Sequence, residues 1–409
     1  MTEVVGKDWA AWAGPEVRLI LATARVAVDA ERVQQIQELC SLDLDWDAVL
    51  RLARRHRTTP LLYRTLTVAG GSCMPGDRLS QLRLSFLNNT QHSLMLAGEL
   101  LKVVGRLQEH DVPVLAFRGP VLAESVYGSL SLRQFSDLDV LLHKEDILRA
   151  RDVLSDLGYS TGGMPASEAA RLETMYHYTL KGREGAVHLE LHWQFAPRYF
   201  GASTDSGLWQ RTQWIELEGQ RVPALGDEDL LLALCVHGSK HTWSQLSWIC
   251  DVAELIHARP GLDWRAMVER SRRLEAERML ALGLHLADSL LGAQLPPQAV
   301  TLVDSDRGVE GLAQDVARKL FVETRRLAAS QQSLLLKDFH LRLRESRWRR
   351  LRHLARTALI PTHEDWAALA LPRSLSFLYY LMRPLRLTAK HVGRLLARLG
   401  GSAGERRDA

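Results

Sequence analysis

The sequence predicts an α+β protein in which a small α/β core sits between N- and C-terminal helical regions. Three observations lead there. Apolar residues recur at three and four over the first hundred residues, the spacing turns strand-like between Val112 and Trp193, and the helical period returns after about Gly226. At 409 residues the chain has room for two to three domains, and 46% apolar with 24% charged residues is an ordinary globular composition. That excludes a wholly disordered, collagen-like or fibrous protein.

Element by element, Trp46, Val49, Leu50, Leu52 and Ala53 mark an amphipathic helix, and the patch from Gly70 to Gly76 reads as a loop. A second long helical stretch runs from near Arg78 to about His110. Val112 to Phe117 then reads as a strand stopped by Arg118-Gly119-Pro120, with a short helix from Val121 to Tyr127 closed by Gly128. Asp137 to Leu142 is a second strand, followed by a helix from about Lys144 to Leu157 that ends at Gly158. Tyr176 to Leu180 and Ala186 to Trp193 flank Lys181-Gly182-Arg183-Glu184-Gly185 as a hairpin. Helices are expected over Asp227 to His237, Ile249 to His257 and Trp264 to Leu291. The expected regions are 1–110 helical, 111–200 the α/β core, 201–330 helical and 331–409 basic and helical.

The formal net charge is +4, but it is unevenly placed. From Asp338 to Ala409 there are 15 Lys/Arg against 6 Asp/Glu, a net +9, which leaves −5 for residues 1–337. The segment Leu341 to Arg356 is Arg-rich with interleaved apolar residues, a pattern that suits RNA or an anionic membrane surface as well as a face packed on a domain. The last helix is read over Leu385 to Leu399, with Gly400 to Ala409 as a frayed tail. Four widely spaced cysteines without a C-x-x-C pair fit a reducing compartment, and no apolar stretch is long enough to span a membrane. The expectation is a soluble cytoplasmic protein.

The strongest local feature is Ser136-Asp137-Leu138-Asp139-Val140-Leu141-Leu142. Side chains on a strand alternate between faces, so Asp137 and Asp139 point the same way while Leu138 and Val140 enter a core. Two carboxylates side by side repel each other unless a hard cation such as Mg²⁺ lies between them. A third acid, Glu190, sits in Val187-His188-Leu189-Glu190-Leu191-His192-Trp193. Three acids on adjacent strands suit two metal ions for in-line attack on a nucleotide phosphate. By contrast, Asp43-Leu44-Asp45 precedes a helical period and reads as helix capping.

These pieces resemble the nucleotidyltransferase superfamily, in particular a bacterial branch of uncharacterised nucleotidyltransferases. The matching residues are Phe117-Arg118-Gly119, Arg133-Gln134-Phe135-Ser136-Asp137-Leu138-Asp139 and Leu189-Glu190-Leu191-His192-Trp193. Further matches are His237-Gly238-Ser239-Lys240-His241-Thr242-Trp243 with Trp248 to Asp251, Asp45-Trp46 with His56, and Leu378-Tyr379-Tyr380 with Arg383-Pro384. The resemblance implies a mixed-sheet catalytic fold and transfer of an NMP, AMP from ATP in the first instance, with release of pyrophosphate. It also implies two Mg²⁺ ions held by Asp137, Asp139 and Glu190, and nucleotide contacts from Arg118, Gly119, Arg133, Ser136 and Lys240. One departure is that Pro120 follows Gly119 where the superfamily usually has Ser, so neither a hydroxyl nor an N–H is supplied there.

His192, His237, His241 and Asp251 complete the candidate list. His192 is read as orienting an acid or contacting substrate. His237, Lys240, His241, Ser244, Trp248 and Asp251 share one sector if a single helix runs through them, a condition that Gly238 tells against. Asp251 is then the partner of a histidine or lysine. A rival reading makes His188, Glu190 and His192 a transition-metal site, and another makes the basic C-terminus an RNA-binding or toxin-like module. The acceptor stays open among a small molecule, a precursor peptide, an RNA end and a protein side chain.

Overall fold

The computed structural model describes residues 13–389, except 70–72, 162–171, 174, 183–184, 186, 202–203, 206, 322–328, 370, 372–374 and 376. The tail from Gly400 and most of the helix read over Leu385 to Leu399 lie outside the described residues, as does part of the hairpin turn at 183–186.

The N-terminal region is helical, as its periodicity requires: α1 (Pro15–Thr23), α2 (Ala30–Cys40), α3 (Trp46–Arg55), α4 (Thr59–Val68) and α5 (Gly76–Glu109). On α3, Val49, Leu50 and Ala53 are buried, and the Asp45 carboxylate accepts the Ala48 N–H at 2.9 Å as an N-cap. The 34-residue α5 buries Leu96, Leu100, Val103, Val104 and Leu107, one stripe of its second half.

Six strands form one mixed sheet: β1 (Leu115–Ala116), β2 (Leu138–Leu141), β3 (His177–Lys181), β4 (His188–His192), β5 (Gln213–Leu217) and β6 (Gln220–Ala224), in the order β3-β4-β2-β1-β6-β5. Strand β2 runs parallel to β4 and antiparallel to β1, and β1 runs parallel to β6. The helix α6 (Gly119–Tyr127) connects β1 to β2, and α7 (Ile147–Ser155) follows β2. The sheet does not stop at residue 200. The β5–β6 hairpin occupies a stretch read as helical, and its alternation around Glu218-Gly219 is short, with both turn residues at positive φ (49° and 74°).

Alternation along the strands gives the sheet two different faces. Leu138, Val140, Tyr178, Leu180, Leu189 and Leu191 enter a core shared with α5 and α7. Leu115, Phe117 and Leu141 join the larger core made by the helices of both flanks. That second face carries the acids.

The C-terminal half is built from α8 (Asp227–Lys240), α9 (Leu246–Ala258), α10 (Trp264–Arg273), α11 (Glu277–Leu291), α12 (Pro297–Asp304), α13 (Gly308–Phe321), α14 (Ala329–Arg342), α15 (Arg347–Leu359) and α16 (His363–Ala368). Two expected continuities are broken. The run from Trp264 to Leu291 is split where Glu275 takes φ 56°, and α8 is separated from α9 by a turn in which Thr242 and Trp243 take φ 54° and 49°. The second break has a packing cause. Trp243 is fully buried and lies against Gly238, where an added Cβ would sit 2.5 Å from its ring, and a Cβ at Gly283 of α11 would sit 2.5 Å from the Cys235 sulfur and 3.1 Å from the Trp243 ring.

The basic C-terminal region is not a free arm among the described residues. Phe339 and Leu343 join the main core, Arg344 is buried and donates to the Phe200 carbonyl, and Arg352 reaches Glu275 at 2.5 Å. Arg349 pairs with Glu345, and Arg383 and Arg386 both pair with Asp365. Glu345 and Asp365 belong to the same segment and are already counted in the +9, so of these pairs only Arg352 with Glu275 draws on an acid outside it. Cys40 and Cys73, 33 residues apart in sequence, form a disulfide, which the reading for a reducing compartment did not anticipate. No helix among the described residues is long and apolar enough to cross a membrane.

The Gly238 and Trp243 contact generates a stability prediction. Gly238→Ala forces the indole or α8 to move, and overpacking of this kind costs about 1–3 kcal/mol, read as a lower urea midpoint at unchanged slope. An unchanged midpoint contradicts the packing described.

Candidate active site

The register of β2 and β4 builds the site. The two strands are parallel with Asp139 opposite Glu190, so both side chains leave the same face of the sheet next to each other. Two residues earlier on the same face, Asp137 stands at the entrance of β2. Because β3 pairs antiparallel with β4, His177 falls opposite His192, and the two imidazole centroids are 5.1 Å apart.

Asp139 is the buried centre, with 3% of its side chain exposed. Its Oδ1 accepts from Arg118 Nη2 at 2.5 Å and from His192 Nε2 at 2.9 Å, while the same His192 nitrogen lies 3.0 Å from Glu190 Oε2. Burial alone would push the Asp139 carboxyl up, but Arg118 and His192 outweigh it and hold Asp139 well below the usual carboxylate range. Burial also opposes ionisation of Glu190, yet the hydrogen bond from His192 brings it down to about 2. His192 responds in the opposite sense: burial lowers it, and its bonds to Asp139 and Glu190 raise it past its ordinary value. Asp137 has no hydrogen-bond or ion-pair partner among the described residues. Burial raises it first, and the negative charges of Asp139 and Glu190 add to the rise.

A cleft of about 260 Å³ opens over these acids, lined on its other side by residues of α8, α9 and the turn between them, with Arg57 also at its edge. Arg118 Nη1 lies 2.7 Å from His237 Nδ1, and burial, then the Arg118 charge, keeps His237 well below the ordinary histidine value. The His241 ring follows at 4.7 Å from His237, and Trp248 closes that wall at 5.1 and 5.5 Å from the two histidines. Lys240 Nζ donates to the Tyr176 hydroxyl at 2.7 Å, and burial, then Arg118, brings the ammonium down to about 8. Gly119 lines the cleft at φ 58° and begins α6, whose first turn has no side-chain cap.

The structure thus brings together Asp137, Asp139, Glu190, Arg118, Gly119, Arg133, His192, His237, Lys240 and His241. Ser136 is exposed and touches the cleft only through Arg57. The objection that Gly238 raised holds: His237 to Asp251 do not share one helix, since α8 stops at Lys240 and α9 restarts at Leu246, yet His237, Lys240, His241 and Trp248 all line the cleft. Two sequence readings need correction. Asp251 does not hold a histidine or lysine: its Oδ1 and Oδ2 accept from Arg133 Nε and Nη2 at 2.8 and 2.9 Å, and Oδ1 also accepts from the Tyr127 hydroxyl at 2.6 Å. Arg133 is therefore engaged from behind. Finally, His188 is exposed at the far end of β4, and the histidine that joins Glu190 and His192 is His177. Among the described residues, His177, Glu190 and His192 are the one group of three whose ligand atoms lie within 4.8 Å of one another.

Arg57, Tyr176, His177 and Gln245 were missed. His177 had a signal, since hairpin alternation places it on the Glu190 face once the register is known. Arg57 had none in local pattern, because it enters from a turn after α3.

The fold and cleft define an α+β protein with ionised carboxylates on a mixed sheet, faced by cations across a half-buried opening. Over residues 43–292 the sequence matches the family of uncharacterised nucleotidyltransferases, and the chain belongs to that family. This supports a general role in nucleotidyl transfer. No curated protein matches the sequence.

The Arg133 and Asp251 pair carries a prediction. Asp251→Asn leaves a buried guanidinium and the Tyr127 hydroxyl without their ionised partner, and loss of one member of a buried pair costs about 3–5 kcal/mol. Chemical denaturation measures it, and a cost below about 1 kcal/mol contradicts the pairing.

Proposed function

We propose that this protein is a metal-dependent nucleotidyltransferase that moves an NMP unit, AMP from ATP in the simplest case, to an acceptor nucleophile and releases pyrophosphate. The observation that carries this reading is the β2–β4 register, which puts Asp139 beside Glu190, with Asp137 unpaired at the mouth. Asp137, Asp139 and Glu190 offer the oxygen donors that a hard ion takes, although their carboxylates are not gathered as closely as the ligand atoms of His177, Glu190 and His192. Burial, then the negative charges of Asp139 and Glu190, raises Asp137, and a bound cation would offset that repulsion. Asp137, Asp139 and Glu190 would hold Mg²⁺, two ions in the full site. When bound, the ions supply neutralisation of the triphosphate and of the departing pyrophosphate and ease deprotonation of the acceptor.

The chain's own groups do the remainder. Arg118 keeps Asp139 ionised, and His192 keeps Glu190 ionised and oriented, so that a Glu190 oxygen receives the acceptor's hydrogen bond. The uncapped amides at the start of α6 and the Lys240 ammonium face the phosphates, a role the N-terminus of a helix fulfils without the hydroxyl that Pro120 lacks. Phe135 and Trp248 offer aromatic walls to the base. The acceptor is a small molecule, a peptide, an RNA end or a protein side chain.

A second reading has one observation in its favour, the closeness of His177, Glu190 and His192, which suits a transition metal. Against it, the His192 nitrogen nearest Glu190 is also bonded to Asp139, so the arrangement fits a proton there.

Two measurements decide. Purified protein incubated with Mg²⁺, each labelled NTP and cell extract should transfer label, and Asp137→Asn with Asp139→Asn should lose transfer by a factor on the order of 100 or more. Transfer that persists unchanged in the double variant sinks the assignment. Elemental analysis of protein purified without added metal should find no stoichiometric zinc, manganese or iron, and a stoichiometric transition metal lost in His177→Ala favours the second reading.

A further inference from the structure

The cations of the cleft are unequally free to meet a ligand. Arg118 is tied to Asp139 and His237, Arg133 gives Nε and Nη2 to Asp251 and keeps a buried Nη1 without a partner, and Lys240 is bound to the Tyr176 hydroxyl. Arg57 differs. It lines the same cleft, and among the described residues its side chain pairs with no carboxylate and makes one hydrogen bond, a long one of 3.5 Å from Nη1 to the hydroxyl of Ser136, the residue before Asp137.

Its backbone is held with unusual firmness for a residue with so free a side chain. Arg57 takes φ 55° in the turn after α3, between the buried His56 and the Thr58 N–H, which donates to the Ala53 carbonyl at 2.9 Å. His56 in turn caps the start of α9. Its carbonyl accepts the Ser247 N–H at 3.2 Å and its Nδ1 accepts the Leu246 N–H at 3.4 Å. A non-glycine residue in the left-handed region costs of order 1 kcal/mol, and such strain collects where a side chain must be aimed. The turn therefore aims an uncommitted guanidinium at the cleft from outside the sheet.

We propose that Arg57 is the contact for the terminal phosphates of the incoming nucleoside triphosphate, the group that leaves as pyrophosphate. A planar guanidinium that meets no carboxylate can match phosphate oxygens in a bidentate manner, whereas Arg118 and Arg133 each already bind a carboxylate and their unpartnered nitrogens, Nε and Nη1, are buried. It also supplies at the cleft mouth the donor that Pro120 removes from the start of α6. This assignment rests on the nucleotidyl-transfer reading of the cleft.

Calorimetry on the full chain with Mg²⁺ tests it, using ATP, AMP and inorganic tripolyphosphate as probes. Arg57→Gly, which keeps the left-handed turn, should weaken ATP and tripolyphosphate by about 10- to 100-fold, the loss expected for charge-assisted hydrogen bonds, while AMP changes less than about twofold. Arg57→Lys should fall between, and the urea midpoint of both variants should match wild type. Unchanged ATP affinity in Arg57→Gly overturns the assignment and leaves the cleft reading in place, as does equal weakening of ATP and AMP. If wild type binds neither ATP nor any other NTP, the reading of the cleft falls and the Arg57 assignment with it.

Discussion

The structure depends on one buried knot, in which a single oxygen of Asp139 receives both Arg118 and His192 while His192 also reaches Glu190. Each participant is too costly to bury alone, since an isolated ionised group in a protein interior loses several kcal/mol of solvation. Together they neutralise one another, and that mutual need fixes where the elements sit. Arg118 must end β1, Asp139 must lie on β2, and Glu190 and His192 must lie two apart on β4. A one-residue slip of β4 against β2 would put Leu189 or Leu191 over the cleft and drive Glu190 into the apolar core on the other side. Register and charge pairing therefore enforce each other.

The helical flanks complete the opening by an equally specific route. The α8–α9 turn folds back because Trp243 needs the two surfaces of Gly238 and Gly283, and this fold-back gathers His237, Lys240, His241 and Trp248 on one wall. The N-terminal region reaches that wall through His56, which caps α9, and through the buried Arg25 and Glu254 pair at 2.5 Å. From the C-terminal side, the His340 ring donates to the Lys240 carbonyl at 3.0 Å. Separate stretches of sequence thus hold the two helices of this wall: His340 at the end of α8, and His56 and Arg25 on α9.

How much of this was legible in the sequence follows the range of the interaction concerned. Asp137, Asp139 and Glu190 were readable because strand alternation is a local rule, and so were the Asp45 cap and the Gly128 stop of α6. The β5–β6 hairpin was lost because five-residue strands around Glu218-Gly219 give a weak signal between helical stretches, and only pairing with β1 reveals its place. The partner of Asp251 could not be read. A helix with His237 and Lys240 on its face suggests neighbours along the helix, whereas Arg133 arrives from a loop 118 residues away. His177 replaced His188 for a related reason, since alternation selects a face but only register selects which residues on that face touch.

Charge compensation ties part of the basic C-terminal region to the acidic body. Arg352 and Arg356 neutralise Glu275, Arg344 is buried against Phe200, and the same helix α15 turns Trp348, Leu351 and Leu354 outward. The arginines act chiefly as internal mortar between α10, α15 and the loop after β4. The net +9 read along the sequence is thus a poor guide to the field at any one place. What matters at the cleft is local: three acids, three cations held by their partners, and one guanidinium, that of Arg57, that meets no carboxylate among the described residues.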